Sequence, residues 1–330
     1  MTERRTHHAS LGAGWTGGQY SVSRALLGVY LLVQFLRLLI DQGSPFAVGP
    51  AVAAMGVIAA GCFAAGVAAQ SSAIALLVCA VALGLGPSGG TSMAAWLSPL
   101  ALLLALHACV PPEPYGSWPA RDRTDPRGDW RMPAIVVAGA WILAAILVVG
   151  IVRGRSDTLT VAAFSLLLLV DPRWIPARWP GRRDRVFYDG TCGLCHGATR
   201  FILAEDRSGT AFGFAPLQGP TWEASASEVR QRALPEGQKQ ALPDSVVVLT
   251  AEGDVLTRST AAIYVLDRMG GLWRVLGTSM GLVPRAVRDA AYDAVARSRY
   301  RIFGRRDTLC PILPPDLRSR FLDEDRNRNR

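Results

Sequence analysis

Two kinds of polymer are joined in this chain. Up to about Val170 the sequence runs in long stretches of Ala, Leu, Val and Gly that are almost free of charge, whereas beyond it charged residues recur every few positions. One globular domain does not change composition so abruptly. At 330 residues there is room for two domains, and the shift predicts an apolar helical domain over 1–181 and a water-facing domain over 182–330.

Five apolar stretches approach the ~20 residues that a helix needs to cross a bilayer. They are Tyr20–Ile40, Phe46–Ala69, Ser72–Gly86, Met93–Val110 and Met132–Val152. A sixth, Leu159–Val170, is short and crosses only where the bilayer thins or its flanking turns join in. The fold class expected is therefore an α-helical membrane bundle of about six spans followed by an α/β domain. Arginine placement orients it. With the N-terminus inside, Arg4, Arg5, Arg121, Arg123, Arg127, Arg131, Arg173, Arg178, Arg182 and Arg183 face the cytoplasm, and only Arg153 and Arg155 fall outside. That places both termini and the C-terminal domain on the cytoplasmic side of the cytoplasmic membrane. The polar, basic start has no small-residue cleavage site after the first apolar run, so that run reads as a retained span.

The formal charge of +9 raises the question of nucleic acid. Much of the arginine flanks apolar segments, where topology explains it, and no nucleic-acid-reading motif is visible. The expected partners are the lipid bilayer and a protein or small-molecule thiol or disulfide. The loop Pro111–Pro133, rich in Pro, Trp and Arg, reads either as a lid or as an interfacial aromatic belt.

Six cysteines are present. Cys62, Cys79 and Cys109 lie in apolar stretches and read as packing residues or as an electron relay. Cys310 stands alone and reads as an inert thiol or a third redox partner. Cys192 and Cys195 form a CxxC pair in the segment RVFYDGTCGLCHGATR, residues 185–200. Val186–Tyr188 suits a buried strand, Asp189-Gly190 a tight turn, and Thr191 the N-cap of a helix holding both cysteines. Unpaired N–H groups at a helix start favour a thiolate, whose pKa there falls to about 3.5–7.5 from roughly 8.5. Cys192 is then the nucleophile, and Cys195, one turn deeper, the resolving thiol. Asp189 either relays the proton that Cys195 loses or caps the turn. His196 and Arg200 either raise the local positive potential or lie on an exposed helical face.

Three other chemistries compete for this motif. Zinc needs two more ligands, and the C-terminal half offers only the adjacent His196 and the distant Cys310. The run Cys192–His196 spells the CxxCH of haem attachment, but that chemistry is extracytoplasmic and no distal ligand is evident. A phosphatase-type strand end requires an aspartate where Phe187 stands. The dithiol reading requires no bound cofactor and no metal.

Farther on, Thr210–Leu217 and Ser245–Leu249 read as strands, Val255–Thr257 as a hairpin partner, and Thr260–Met269 and Pro284–Arg299 as helices. Strand–helix–strand–helix–strand–strand–helix is the order of a thioredoxin-like sandwich. In that fold a cis-proline ahead of the third strand faces the dithiol, and Pro243 is either that residue or an ordinary turn proline.

The segments VFYDGTCGLC and YDAVARSRYRIFGRRDTLC, the latter Tyr292–Cys310, resemble the DCC-family thiol-disulfide oxidoreductases. Asp189, Cys192 and Cys195 match the Asp and two Cys for which that family is named. The resemblance covers most of 183–312 and implies a thioredoxin-like fold and a redox role. The segments GWTGGQYSVSRALLG and PPEPYGSW are similar to the transmembrane part of the vitamin K-dependent carboxylase group, with no matched catalytic residue to carry over. Two functions remain open from sequence. One is a membrane-tethered dithiol–disulfide oxidoreductase. The other is a bundle that transports or modifies a lipid or quinone-like molecule, with the DCC domain as sensor or appendage.

Overall fold

A computed structural model describes residues 14–41, 48–85, 91–152, 159–178, 181–206, 208–233, 246–306 and 313–323. The chain divides into two compact units, one of residues 1–122 and 128–174, the other of residues 123–127 and 175–330. The protein is mostly helical, with one small mixed sheet.

The first unit consists of α1 (Gly17–Asp41), α2 (Val48–Ala65), α3 (Ala69–Leu85), α4 (Thr91–Ala108), α5 (Ala134–Val152) and α6 (Leu159–Leu169). Among the described residues, two helical stretches are long and apolar enough to cross a membrane, Gly17–Ile40 and Ala134–Val152. The expected count of six spans is not supported, for local reasons. The second and third apolar stretches are separate helices parted at Gly66–Ala68, where Gly66 (φ +74°) and Ala68 (φ +44°) adopt left-handed backbone. Their apolar helices, Gly49–Ala65 and Ala69–Leu83, fall short of a span's length. The 11 residues of α6 rise only about 16 Å, against a hydrocarbon core of about 30 Å.

The two segments compared above with the carboxylase group meet inside this unit. Ser21 Oγ donates to the Tyr115 carbonyl at 2.6 Å, and a Cβ on Gly17 would stand 2.4 Å from the Tyr115 nitrogen. Beneath that contact, Tyr20 hydroxyl and His107 Nδ1 lie 2.9 Å apart and Trp130 stacks on the Tyr20 ring. Arg24, 1% exposed, donates from one terminal nitrogen to the Phe63 carbonyl at 2.7 Å.

In the second unit β1 (Asp184–Tyr188) leads to α7 (Gly193–Glu205), β2 (Phe212–Pro216), α8 (Pro220–Ala233), β3 (Val247–Leu249), β4 (Val255–Thr257) and α9 (Arg258–Met269). The element order matches the expectation. The sheet runs β2-β1-β3-β4, with β1 parallel to β2 and antiparallel to β3, and β3 antiparallel to β4. Among the described residues three further helices follow: α10 (Gly271–Gly281), α11 (Arg285–Phe303) and α12 (Pro315–Arg318). Of these, sequence pattern predicts only α11.

Alternation along β1 splits the core into two layers. Val186 and Tyr188 face a cluster with Phe212, Phe214, Val265 and Phe321, whereas Phe187 faces Ala215, Val229, Val247 and Leu249. Asp184 anchors the start of β1. Its carboxylate accepts from Arg268 Nε at 2.8 Å, the Tyr264 hydroxyl at 3.0 Å and the Ala251 N–H at 2.8 Å. The other end of β1 therefore enters the turn Asp189–Thr191 from a fixed position. That turn carries the dithiol.

Candidate active site

Cys192, and not Thr191, is the N-cap of α7, with extended backbone at φ −96° and ψ 122°. Thr191 serves Asp189 instead, donating from its backbone N–H at 2.9 Å and its hydroxyl at 2.8 Å to Asp189 Oδ1. This is the Asx-type turn that an Asp-Gly-Thr sequence favours. Cys195 lies one helical turn beyond Cys192, and both thiols are free. Burial pushes the Cys195 thiol up to about 12, the neighbouring Cys192 and its hydrogen bond add to the rise, and the Asp189 main chain opposes it.

Asp189 is 4% exposed and surrounded by donors. Besides Thr191, Gln218 Nε2 donates to Oδ1 at 3.2 Å, while Arg299 (3.2 Å) and the Tyr300 hydroxyl donate to Oδ2. Burial alone would push this carboxyl up, but the hydrogen bonds from Tyr300, Thr191 and Gln218 outweigh it and lower the pKa to about 2. Gln218 also accepts the Gly190 N–H through Oε1 at 3.0 Å, so one amide clamps two consecutive residues of the turn. Gln218, Arg299 and Tyr300 are absent from the sequence-predicted site. Arg299 and Tyr300 do lie inside the C-terminal stretch that resembles the DCC family, which was the available signal. Nothing local marks Gln218, which reaches the turn only because β2 pairs with β1.

His196 corrects an expectation. It is buried, not part of an exposed face, and its Nε2–H donates to the Gly190 carbonyl at 2.7 Å while its ring meets Tyr188 edge-on. Arg200 is half-buried and donates to the Arg123 carbonyl. Pro243 and Cys310 lie outside the described residues.

A segment after α11 covers Cys192. Gly193 N–H donates to the Gly304 carbonyl at 3.2 Å, Arg306 N–H donates to the Thr191 carbonyl at 2.9 Å, and Cys192 and Arg305 form an antiparallel bridge. Gly304 turns the chain here at φ +71°. The approach is so close that a Cβ on Gly193 would lie 2.2 Å from the Phe303 carbonyl oxygen. Cys192 is consequently 0% exposed, whereas Cys195 is 6% exposed.

Comparison with known proteins reaches the same residues. Residues 186–305 match the DCC1-like thiol-disulfide oxidoreductase family. The uncharacterized protein YuxK of Bacillus subtilis is 36% identical over 137 residues, which span 42% of this chain and 92% of that protein. The chain belongs to the DCC family. A chloroplastic DCC family protein of Arabidopsis thaliana is 28% identical over 127 residues, covering 38% of this chain and 69% of its own length. No solved structure matches. The resemblance of the helical half to the carboxylase group is not shown by these comparisons. The DCC assignment supports a redox role for the unit that holds the dithiol.

Proposed function

We propose that this DCC protein is a membrane-tethered dithiol–disulfide oxidoreductase with a thioredoxin-like catalytic domain, in which Cys192 attacks and Cys195 resolves. The observation that carries the reading is the N-cap position of Cys192, with Cys195 one turn on. The Cys192 thiolate attacks one sulfur of a substrate disulfide, forming a mixed disulfide and releasing the first substrate thiol, which takes up a proton. Cys195 then loses its proton and attacks Cys192, releasing the second thiol and closing the Cys192–Cys195 disulfide. While Cys192 is a free thiol beside it, Cys195 holds its proton tightly. Burial is the main cause and persists, while tying the Cys192 sulfur into a mixed disulfide removes the smaller contribution of the neighbouring cysteine and eases deprotonation of Cys195.

Asp189 acts in this scheme as a positioning residue. A carboxylate at about 2 with every donor already in place is a poor base at neutral pH, but it ties the turn to α11 through Arg299 and Tyr300. Thr191 and His196 hold the same turn from either side. The outward apolar faces of α1 (Val22, Leu26, Val29) and α5 (Ile142, Val149, Val152) suit lipid contact and support the tether, with the catalytic unit on the cytoplasmic side.

Redox titration of the purified protein tests the proposal. A reversible two-electron couple is expected, lost in Cys192→Ser, with a mixed disulfide trapped in Cys195→Ser. Absence of any such couple in the wild-type chain would end it. The buried Tyr20–His107 contact favours a second reading, in which the helical unit processes a lipid or quinone-like molecule itself. In that case His107→Ala abolishes function while leaving the dithiol couple intact.

A further inference from the structure

The strap Gly304–Arg306 that covers Cys192 also pairs with it. Gly193 N–H donates to the Gly304 carbonyl and Arg306 N–H to the Thr191 carbonyl, so Cys192 and Arg305 stand directly opposite each other in an antiparallel bridge. Both hydrogen bonds belong to the residues on either side. The two opposed residues are thus a non-hydrogen-bonded pair, whose Cα atoms typically lie about 4.5 Å apart with their side chains close. Residues joined by a disulfide have Cα atoms roughly 4.4–6.8 Å apart. Arg305 therefore stands where the cysteine of a mixed disulfide with Cys192 has to stand. Its guanidinium lies over the Tyr300 ring, 4.9 Å from the centroid, and the Tyr300 hydroxyl donates to Asp189, so the strap is seated on the same cluster that holds the turn.

With the strap in place Cys192 is 0% exposed, so the strap lifts before any disulfide is attacked. Lifting takes their partners from the Gly193 N–H and the Thr191 carbonyl. An extended polypeptide restores both, through the carbonyl of the residue before its cysteine and the N–H of the residue after it, as in strand addition to an open edge. A disulfide without a main chain restores neither.

Building on the dithiol reading above, we propose that Gly304–Arg306 is a built-in pseudosubstrate, occupying the main-chain edge at Thr191–Gly193 on which an extended polypeptide disulfide is seated. Arg305 holds the place of the substrate cysteine, and the resting chain is autoinhibited. The chemical step is that of the dithiol reading. The Cys192 thiolate bonds to the substrate cysteine sulfur, the substrate S–S bond breaks, and its other sulfur leaves with the electron pair and takes up a proton.

The test uses the full chain in detergent, reduced, freed of reductant and kept from oxygen. It is mixed with three disulfides that share thionitrobenzoate as leaving thiol. The other half is a nine-residue peptide with a central cysteine, the same peptide N-methylated on the residue after the cysteine, or mercaptoethanol. Thionitrobenzoate release that Cys192→Ser abolishes reads attack by Cys192. The unmethylated peptide should react about tenfold faster than the other two, since two hydrogen bonds supply a factor of that order. Arg306→Pro, which removes the N–H given to Thr191, should accelerate attack on the mercaptoethanol compound at least threefold. In Cys195→Ser carrying Arg305→Cys, diamide should take two electrons and two protons from Cys192 and the cysteine introduced at position 305, leaving one disulfide between them that peptide mass maps. Equal rates with the peptide and its N-methylated form overturn the polypeptide seat. Unchanged rates in Arg306→Pro overturn the autoinhibition, and no disulfide at position 305 overturns both. Attack by Cys192 on none of the three compounds, in wild type and in Arg306→Pro alike, strikes at the dithiol reading instead.

Discussion

Each unit of this protein buries a charge, and the two solve the problem differently. In the DCC domain the Asp189 carboxylate receives Thr191, Gln218, Arg299 and Tyr300, so its charge is matched by a cation and by neutral donors. In the helical unit Arg24 forms no ion pair among the described residues, donates to the Phe63 carbonyl, and leaves Nε without an acceptor. Its guanidinium fits because Gly66 lacks a side chain, since a Cβ there would stand 2.3 Å from it. The difference separates a charge that organises distant elements from one that the fold merely accommodates. Asp189 joins β1, β2 and α11, and three of its four partners lie 29 to 111 residues away.

The largest effect expected from this contrast is at Asp189. Asp189→Ala strands Arg299 as a buried, unmatched cation and frees four donors, which should cost about 3–5 kcal/mol in unfolding experiments on the detergent-solubilised chain. The same contact gives a pH signature. Folding lowers the carboxyl pKa from 3.8 to about 2, so the folded protein binds fewer protons than the unfolded one between those values. The stabilisation is complete above about pH 4 and is lost as pH falls toward about 2. Unfolding of wild type and Asp189→Ala, followed against pH, should therefore converge on the acid side. A constant gap down to pH 2 would show that the carboxylate is not what the donors hold.

The next effect lies at the covering segment. In Gly193→Ala the new methyl collides with the Phe303 carbonyl, backbone against side chain, and the segment around Gly304 must lift. A cost of about 1–3 kcal/mol is expected from such overpacking. Because Cys192 is shielded by that segment, its alkylation by iodoacetamide should accelerate on the order of tenfold, which is what about 1.4 kcal/mol of lost closure produces. Unchanged alkylation with lowered stability would mean that Cys192 is reached by another route.

How much of this was legible beforehand follows from range in sequence. The strand β1, the dithiol helix, the hairpin Val255–Thr257 and α11 were readable because each is written in local pattern: apolar alternation, an Asp-Gly turn, a long helical run. The Thr191 cap was misassigned by one residue because Asp189 competes for the same hydroxyl. Neither reading of His196, as a source of positive potential or as part of an exposed face, foresaw its burial, because its acceptor is a carbonyl six residues back, made available only by the turn. Gln218 carries no local mark at all, and the segment after α11 is marked only by its place in the stretch that resembles the DCC family. In the helical half composition reported apolarity well and length poorly, since the left-handed residues Gly66 and Ala68 end α2 at Ala65, short of the end of the apolar stretch Phe46–Ala69.

The smallest effect sharpens the comparison most. Arg24→Met keeps the aliphatic volume and removes the charge. The Phe63 carbonyl keeps the Gly66 N–H at 3.1 Å as a donor, so no new unmatched group appears. Replacing a buried, incompletely satisfied ion by an apolar side chain of similar volume is commonly neutral or stabilising. Arg24→Met should thus alter stability by less than about 1 kcal/mol, or raise it, under the conditions in which Asp189→Ala is strongly destabilised. Equal losses at the two sites would break the distinction. They would mean that Arg24 also has a counterion, and adding anionic lipid to the detergent would then stabilise wild type and leave Arg24→Met unmoved.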